Sequence, residues 1–168
     1  MIAVMKNTLP SQNLELLKSF LGKKIATVKR QLFKGDMDFD EYEQSADGPV
    51  EFRFHDNTLV HFIAETELFS IGVIAGNMPR YGDSYVLHDV SDNPFWQDRV
   101  NQEICQVVVM KASGWSDDYP SEFGVEFLFK NGKQVQIEYL DEENYPDMIK
   151  VSGRYTNSHS NVIRFTTR

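Results

Sequence analysis

The sequence predicts an α+β fold of two antiparallel four-stranded sheets, related by a pseudo-twofold axis and covered by helices. Three observations lead there. A hairpin-forming segment occurs twice, each copy follows a helix and a strand in the same order, and four further short β-prone stretches extend the two units.

The repeated segment is read by laying the chain on itself. With an offset of seventy-five residues, Val50-Glu51-Phe52-Arg53-Phe54-His55-Asp56-Asn57 falls on Val125-Glu126-Phe127-Leu128-Phe129-Lys130-Asn131-Gly132. Val60 then falls on Val135 and Phe62 on Ile137, so that five of thirteen positions are identical. Val50, Phe52 and Phe54 alternate with Glu51, Arg53 and His55, the period-2 pattern of a strand with one apolar face. Parity then sets the register. A two-residue Asn131-Gly132 loop would place Phe127 opposite Gln136, whereas a three-residue loop of Lys130, Asn131 and Gly132, with Gly132 left-handed, places Phe127 opposite Val135 and Val125 opposite Ile137. In the first copy a loop of His55, Asp56 and Asn57 pairs Phe52 with Val60, with Asn57 taking the left-handed position.

Upstream, Ser11 is positioned to cap a helix carrying Leu14, Leu17, Phe20 and Leu21, which Gly22 would end, and a strand follows from about Ile25. In the second copy Asp92 or Asn93 precedes Pro94 in a first helical turn, with Phe95, Trp96 and Val100 facing inward, before a strand over 104–110. Residues 69–74, 85–90, 148–152 and 162–166 supply the remaining strands. The whole is expected to be one domain over 1–168, with the copies at about 10–75 and 92–150. The intervening loops, 35–48, 75–84, 113–123 and 153–161, form the expected functional surface.

Composition narrows the function. At 41% apolar and 12% aromatic residues the chain can bury a core, and its single cysteine, Cys105, lies in an apolar strand and reads as structural. No apolar run approaches the length of a membrane span and no secretory leader is evident, so a cytoplasmic location without membrane contact is expected. Residues 1–35 hold seven Lys and Arg against Glu15, while residues 36–168 hold ten against twenty-four acids. Such an excess repels phosphate backbones and attracts basic surfaces.

Three acidic, aromatic-studded stretches stand out. Asp36, Asp38, Asp40, Glu41, Glu43 and Asp47, with Tyr42 among them, place six carboxylates in twelve residues. They do not make an EF-hand, because Glu41 stands where the loop needs Gly and Asp47 where it needs a bidentate Glu. Trp115, Asp117, Asp118 and Tyr119 form the corresponding loop of the second copy. Glu138, Asp141, Glu142, Glu143 and Asp147 surround Tyr139 and Tyr145. Aromatics supply contact energy and carboxylates supply approach rate, a combination suited to a basic protein partner. The basic stretch Lys18, Lys23, Lys24, Lys29, Arg30 and Lys34 reads as helix-end and self-paired charge. His55, His61, His88 and His159 have no metal spacing, and no phosphate loop or nucleophile elbow is present. No enzyme activity, metal or cofactor is expected.

With the helix, strand and hairpin unit seen twice, the chain resembles the immunity proteins of bacterial contact-dependent growth inhibition systems, in particular the Neisseria branch paired with EndoU-type ribonuclease toxins. The resemblance rests on length, acidity and the paired Val-Glu-Phe-x-Phe hairpins, over roughly residues 10–150. It implies a whirly-like duplicated fold and a protein, monomeric or weakly dimeric, that occludes the basic cleft of a cognate nuclease toxin. It assigns toxin contact to Asp36, Asp38, Asp40, Glu41, Tyr42, Glu43, Trp115, Asp117, Asp118, Tyr119, Glu142 and Glu143. The alternative is a whirly-type nucleic-acid-binding module using Lys23, Lys24, Lys29 and Arg30. The Lys-Gly-Lys-Ala-Ala-Leu motif of whirly proteins is absent, its nearest counterpart being Gly22-Lys23-Lys24, which argues against that alternative.

Overall fold

Phe52 and Phe127, the middle phenylalanines of the two hairpins, meet with ring centroids 5.8 Å apart, and the two sheets pack together around this contact. The structure is a computed structural model that describes residues 7–34, 44–46, 48–111, 122–142, 145–153 and 161–167, with backbone alone at 44–46, 141–142, 145–147 and 161–162.

The first half contributes α1 (Leu14–Lys18), β1 (Ile25–Phe33), β2 (Gln44–Ala46), β3 (Val50–Phe54), β4 (Leu59–Glu65), β5 (Ser70–Ala75) and β6 (Tyr85–Asp89). The second contributes α2 (Pro94–Gln97), β7 (Ile104–Lys111), β8 (Glu122–Phe129), β9 (Gln134–Glu142), β10 (Tyr145–Ser152) and β11 (Asn161–Thr166). One sheet has the order β5-β4-β3-β1-β6 and the other β11-β7-β8-β9-β10-β2. With β2 set aside, the second order repeats the first. All pairings are antiparallel.

Both hairpin registers agree with the parity argument. Phe52 lies opposite Val60, while Phe127 lies opposite Val135 and Val125 opposite Ile137. The three-residue loops close through Phe54 N–H to Thr58 O at 2.9 Å and Phe129 N–H to Lys133 O at 2.8 Å. Asn57 and Gly132 hold the left-handed positions, at φ 66° and 85°.

Two expectations need correction. The sheets have five and six strands instead of four each, because β6 and β11 add to the outer sides of β1 and β7 and β2 crosses to pair with β10. The helices do not cover the sheets. The sheets cover each other, with Val28, Phe52, Phe54, Val60, Phe62, Ile71 and Val73 facing Val107, Val109, Val125, Phe127, Phe129, Val135, Ile137 and Ile149 in one continuous core. Each fully buried phenylalanine in that layer is worth about 2 to 3 kcal/mol of transfer free energy. Helices of five and four residues have no stability of their own in water. They are held because Leu17, Phe95 and Trp96, together with Phe20 just beyond α1, are buried in the core. Ser11 is not a cap; it lies in a 3-10 turn over Pro10–Gln12, and its N–H donates to Glu122 Oε1 at 3.0 Å. Cys105 lies in a strand, β7, as its neighbours predict, but only half-buried, with Sγ 3.4 Å from the Leu128 carbonyl.

Candidate binding surface

Strand alternation puts Lys29, Gln31 and Phe33 on the face of β1 that points away from the core, beside Glu51 of β3 and beside Tyr85 and Leu87 of β6. Residues 76–84 run over this face and are fastened to it. The Gln31 amide serves both ends of one turn, donating from Nε2 to the Pro79 carbonyl and accepting the Tyr81 N–H at 2.9 Å. Glu51 Oε2 accepts the Met78 N–H at 2.8 Å, and His61 Nδ1 lies 2.9 Å from the Gly76 carbonyl. A buried side-chain amide that replaces backbone partners in this way orders a loop that would otherwise carry unsatisfied polar groups.

Between loop and sheet lies a cavity of about 300 Å³ lined by Lys29, Glu51, Met78, Arg80, Asp83, Tyr85 and Leu87 among others. It is at the small end of ligand pockets. Two cations and two carboxylates line it, with Glu51 already committed to the loop, so its chemistry suits a polar group presented beside an apolar one. Loop 75–84 is one of the four loops expected from the sequence. Gln31 and Glu51 were not legible, because nothing in their strands marks the alternating polar residues that will clamp a loop some thirty to fifty residues away.

Of the residues expected to touch a toxin, Asp36, Asp38, Asp40, Glu41, Tyr42, Glu43, Trp115, Asp117, Asp118, Tyr119 and Glu143 lie outside the described residues. Glu142 ends β9, where its backbone pairs with Tyr145.

The basic stretch is placed. Lys18 Nζ lies 3.9 Å from Glu15, and Lys23 Nζ lies 3.2 Å from Asp56 and 3.0 Å from Thr58 Oγ1. Arg30 is fully buried, its Nη2 donating to the Ile149 carbonyl of the other sheet at 2.7 Å. Elsewhere Lys130 pairs with Glu103 at 3.0 Å and Lys133 with Asp98 at 3.9 Å. Arg99 is buried over the Phe95 ring at 3.9 Å and donates to the Gln134 carbonyl at 2.7 Å. The hydroxyl and N–H of Thr58, with help from Lys23, hold the Asp56 carboxyl down at about 2.

His55 and His61 do not meet. His55 Nε2 lies 2.7 Å from Asn101 Oδ1, and His61 turns to the loop. Among the described residues no group of three or more His, Cys, Asp or Glu is arranged to hold a metal ion, and no helix is long and apolar enough to cross a membrane.

The far face of the six-stranded sheet carries a buried polar band beside Glu138, the first residue of the third acidic stretch. Gln136 Nε2 donates to Glu126 Oε2 at 2.7 Å, with both side chains buried. Burial, and secondarily the Glu126 carboxylate, raise the Glu138 carboxyl above its ordinary range against the opposing pull of Lys150. The signal available was Glu126 falling opposite Gln136 in the predicted register.

Compared with protein-family models, with curated proteins and with solved structures, the chain finds no match.

Proposed function

We propose that the protein is a cytoplasmic immunity protein that binds a basic nuclease toxin of the EndoU ribonuclease kind and excludes RNA from its cleft. The observation that carries this reading is the charge distribution. Twenty-four acids oppose ten bases over residues 36–168. Six of the seventeen cations are already committed: Lys18, Lys23, Lys130 and Lys133 sit beside carboxylates, and Arg30 and Arg99 are buried. Surface pairs of this kind add little stability, about 0 to 1 kcal/mol each, but they neutralise the lysines locally.

A negatively charged surface of this sort speeds encounter with a positive cleft, with association rates on the order of 10⁸ M⁻¹s⁻¹ at low salt against about 10⁵ to 10⁶ for neutral partners. The acidic loops at 36–43 and 115–119 would supply the toxin contacts, with Tyr42, Trp115 and Tyr119 as anchors. The nucleic-acid alternative loses support from the same geometry, since Arg30 is buried and Lys23 is engaged by Asp56.

The deciding experiment is co-expression with the product of the adjacent toxin gene, read as growth protection, together with association rates measured across salt concentrations. Protection, and an association rate that falls with salt and with charge reversal at Asp36, Asp38, Asp40 and Glu41, is the expected result. Absence of protection, or retention of single-stranded RNA by the purified chain at physiological ionic strength, overturns the proposal.

A further inference from the structure

The most exposed large apolar side chains among the described residues are Phe33 (43%), Tyr81 (38%), Val86 (39%) and Leu87 (49%). All four gather at one edge of the five-stranded sheet. Strand β6 ends the order β5-β4-β3-β1-β6 and, among the described residues, pairs with β1 alone. Its register runs without a bulge from Lys29 opposite Asp89 to Phe33 opposite Tyr85. Val86, Leu87, His88 and Asp89 are all exposed. Natural edge strands are normally protected by charges, above all lysine, by a proline, by a bulge or by shortness, and β6, five residues long, carries no lysine, proline or bulge and one formal charge at its end, Asp89.

Hydrogen bonding in an antiparallel pair alternates between the two sides of a strand. Val90 N–H donates to the Val28 carbonyl and Lys34 N–H to the Ser84 carbonyl, so the even-numbered residues of this stretch turn their backbone groups toward β1. Leu87, at the centre of β6, therefore turns its N–H and C=O outward.

We propose that a second copy of this chain pairs here, β6 antiparallel to β6 about a twofold axis through Leu87, joining the two five-stranded sheets into one. The strand is self-complementary in that register. Leu87 meets Leu87, Val86 meets His88, and Asp89 meets Tyr85. The two Asp89 carboxylates stand four residues apart, about 13 Å at 3.3 Å per residue, which is beyond the screening length at physiological salt. Arg80 lines the cavity beside Tyr85 and has no ion pair among the described residues; because opposed residues of an antiparallel pair share a face, the second copy's Asp89, whose Oδ1 accepts from Ser91, arrives on the face of the sheet that Tyr85 occupies. A strongly basic partner strand fits this edge less well, because Lys29, Lys34 and Arg80 offset Asp83 and Asp89 around it. This inference does not depend on the toxin reading.

The test is sedimentation equilibrium of the full chain up to roughly 1 mM, the weakest association such an experiment reads, combined with cross-linking. Dimerisation is expected, with the mass rising from 19.4 kDa toward twice that value, and Leu87→Lys is expected to hold the chain at monomer mass. In a Cys105→Ser background, Leu87→Cys lies on the axis, at a separation of about 5.5 Å between the paired Cα atoms, within disulfide reach. It is expected to form a linked dimer at least tenfold faster than Glu67→Cys, another exposed position, in the turn before β5. Monomer mass at every concentration, a dimer that survives Leu87→Lys unchanged, or equal cross-linking at both positions overturns the proposal.

Discussion

Gly22 and Asn101 are counterparts across the seam between the two sheets. Each stands in left-handed backbone, at φ 84° and 67°, a few residues past its short helix. Gly22 N–H donates to the Ile104 carbonyl, and Asn101 N–H donates to the Ile25 carbonyl, both at 2.8 Å. Ile104 N–H to Lys23 O at 2.9 Å adds a third bond across the seam, while His55 N–H to Lys24 O at 3.0 Å and Lys130 N–H to Glu103 O at 2.9 Å match each other within the two halves. The halves are therefore fastened by reciprocal backbone bonds as well as by their core. Four consequences are measurable.

Gly22→Ala should destabilise through backbone strain alone, since a Cβ there meets nothing within 4 Å. Left-handed backbone costs a non-glycine residue about 1 to 2 kcal/mol. Urea unfolding should show a lower midpoint with an unchanged slope. Asn57→Gly, which gives the first hairpin the residue found at Gly132, should stabilise slightly, by about 0.5 kcal/mol, and so raise the midpoint.

Gly124→Ala should cost more, about 3 kcal/mol, at the upper end of overpacking penalties. Its Cβ would fall on the Ile137 carbonyl of the neighbouring strand and on Met110 Cε. The backbone oxygen cannot give way without breaking the β8–β9 ladder. Thermal unfolding of this variant beside Gly132→Ala, whose Cβ points into open space, separates the two causes.

Phe127→Ala removes the ring that touches Phe20 and Phe62 at 6.0 Å and Phe52 at 5.8 Å, and so spans both sheets. A loss of about 3 to 5 kcal/mol is expected. The same substitution at half-buried Phe69 should lose visibly less, and calorimetry reads both.

Two carboxyls give pH dependences of opposite sign. Asp56 titrates at about 2, below its usual 3.8, so its contribution is complete above pH 3.8 and is lost as pH falls through about 2. Asp56→Asn should therefore lower stability at pH 5 and converge on the parent in stronger acid. Glu138 is raised from 4.5, so the folded state holds its proton more tightly, and stability falls as pH rises from 4.5 through the folded-state value. Glu138→Gln should be more stable than the parent at pH 7, and the difference should close below pH 4.

What could be read from the chain was what neighbours in sequence decide. The hairpin registers followed from side-chain alternation and from Asn57 and Gly132, all within a dozen residues, because pleat and turn are local geometry. Strand existence was legible for the same reason, except for β2, which falls inside the expected loop 35–48 and exists only through its pairing with β10. The acidic stretches at 36–43 and 115–119 stand out in the sequence by charge alone and lie outside the described residues.

Tertiary structure decided the rest. The helices were expected to cover the sheets because an apolar sheet face needs a cover, but alternation does not say whether the cover is a helix or another sheet. Only the packing of Phe52 and Phe62 against Phe127 settles that. The crossing of β2 to β10, the clamp from Gln31 to Pro79 and the burial of Arg30 beneath Ile149 join residues forty-eight to more than a hundred positions apart. Local propensity carries no record of such partners, because their bonds exist only once both sheets have formed.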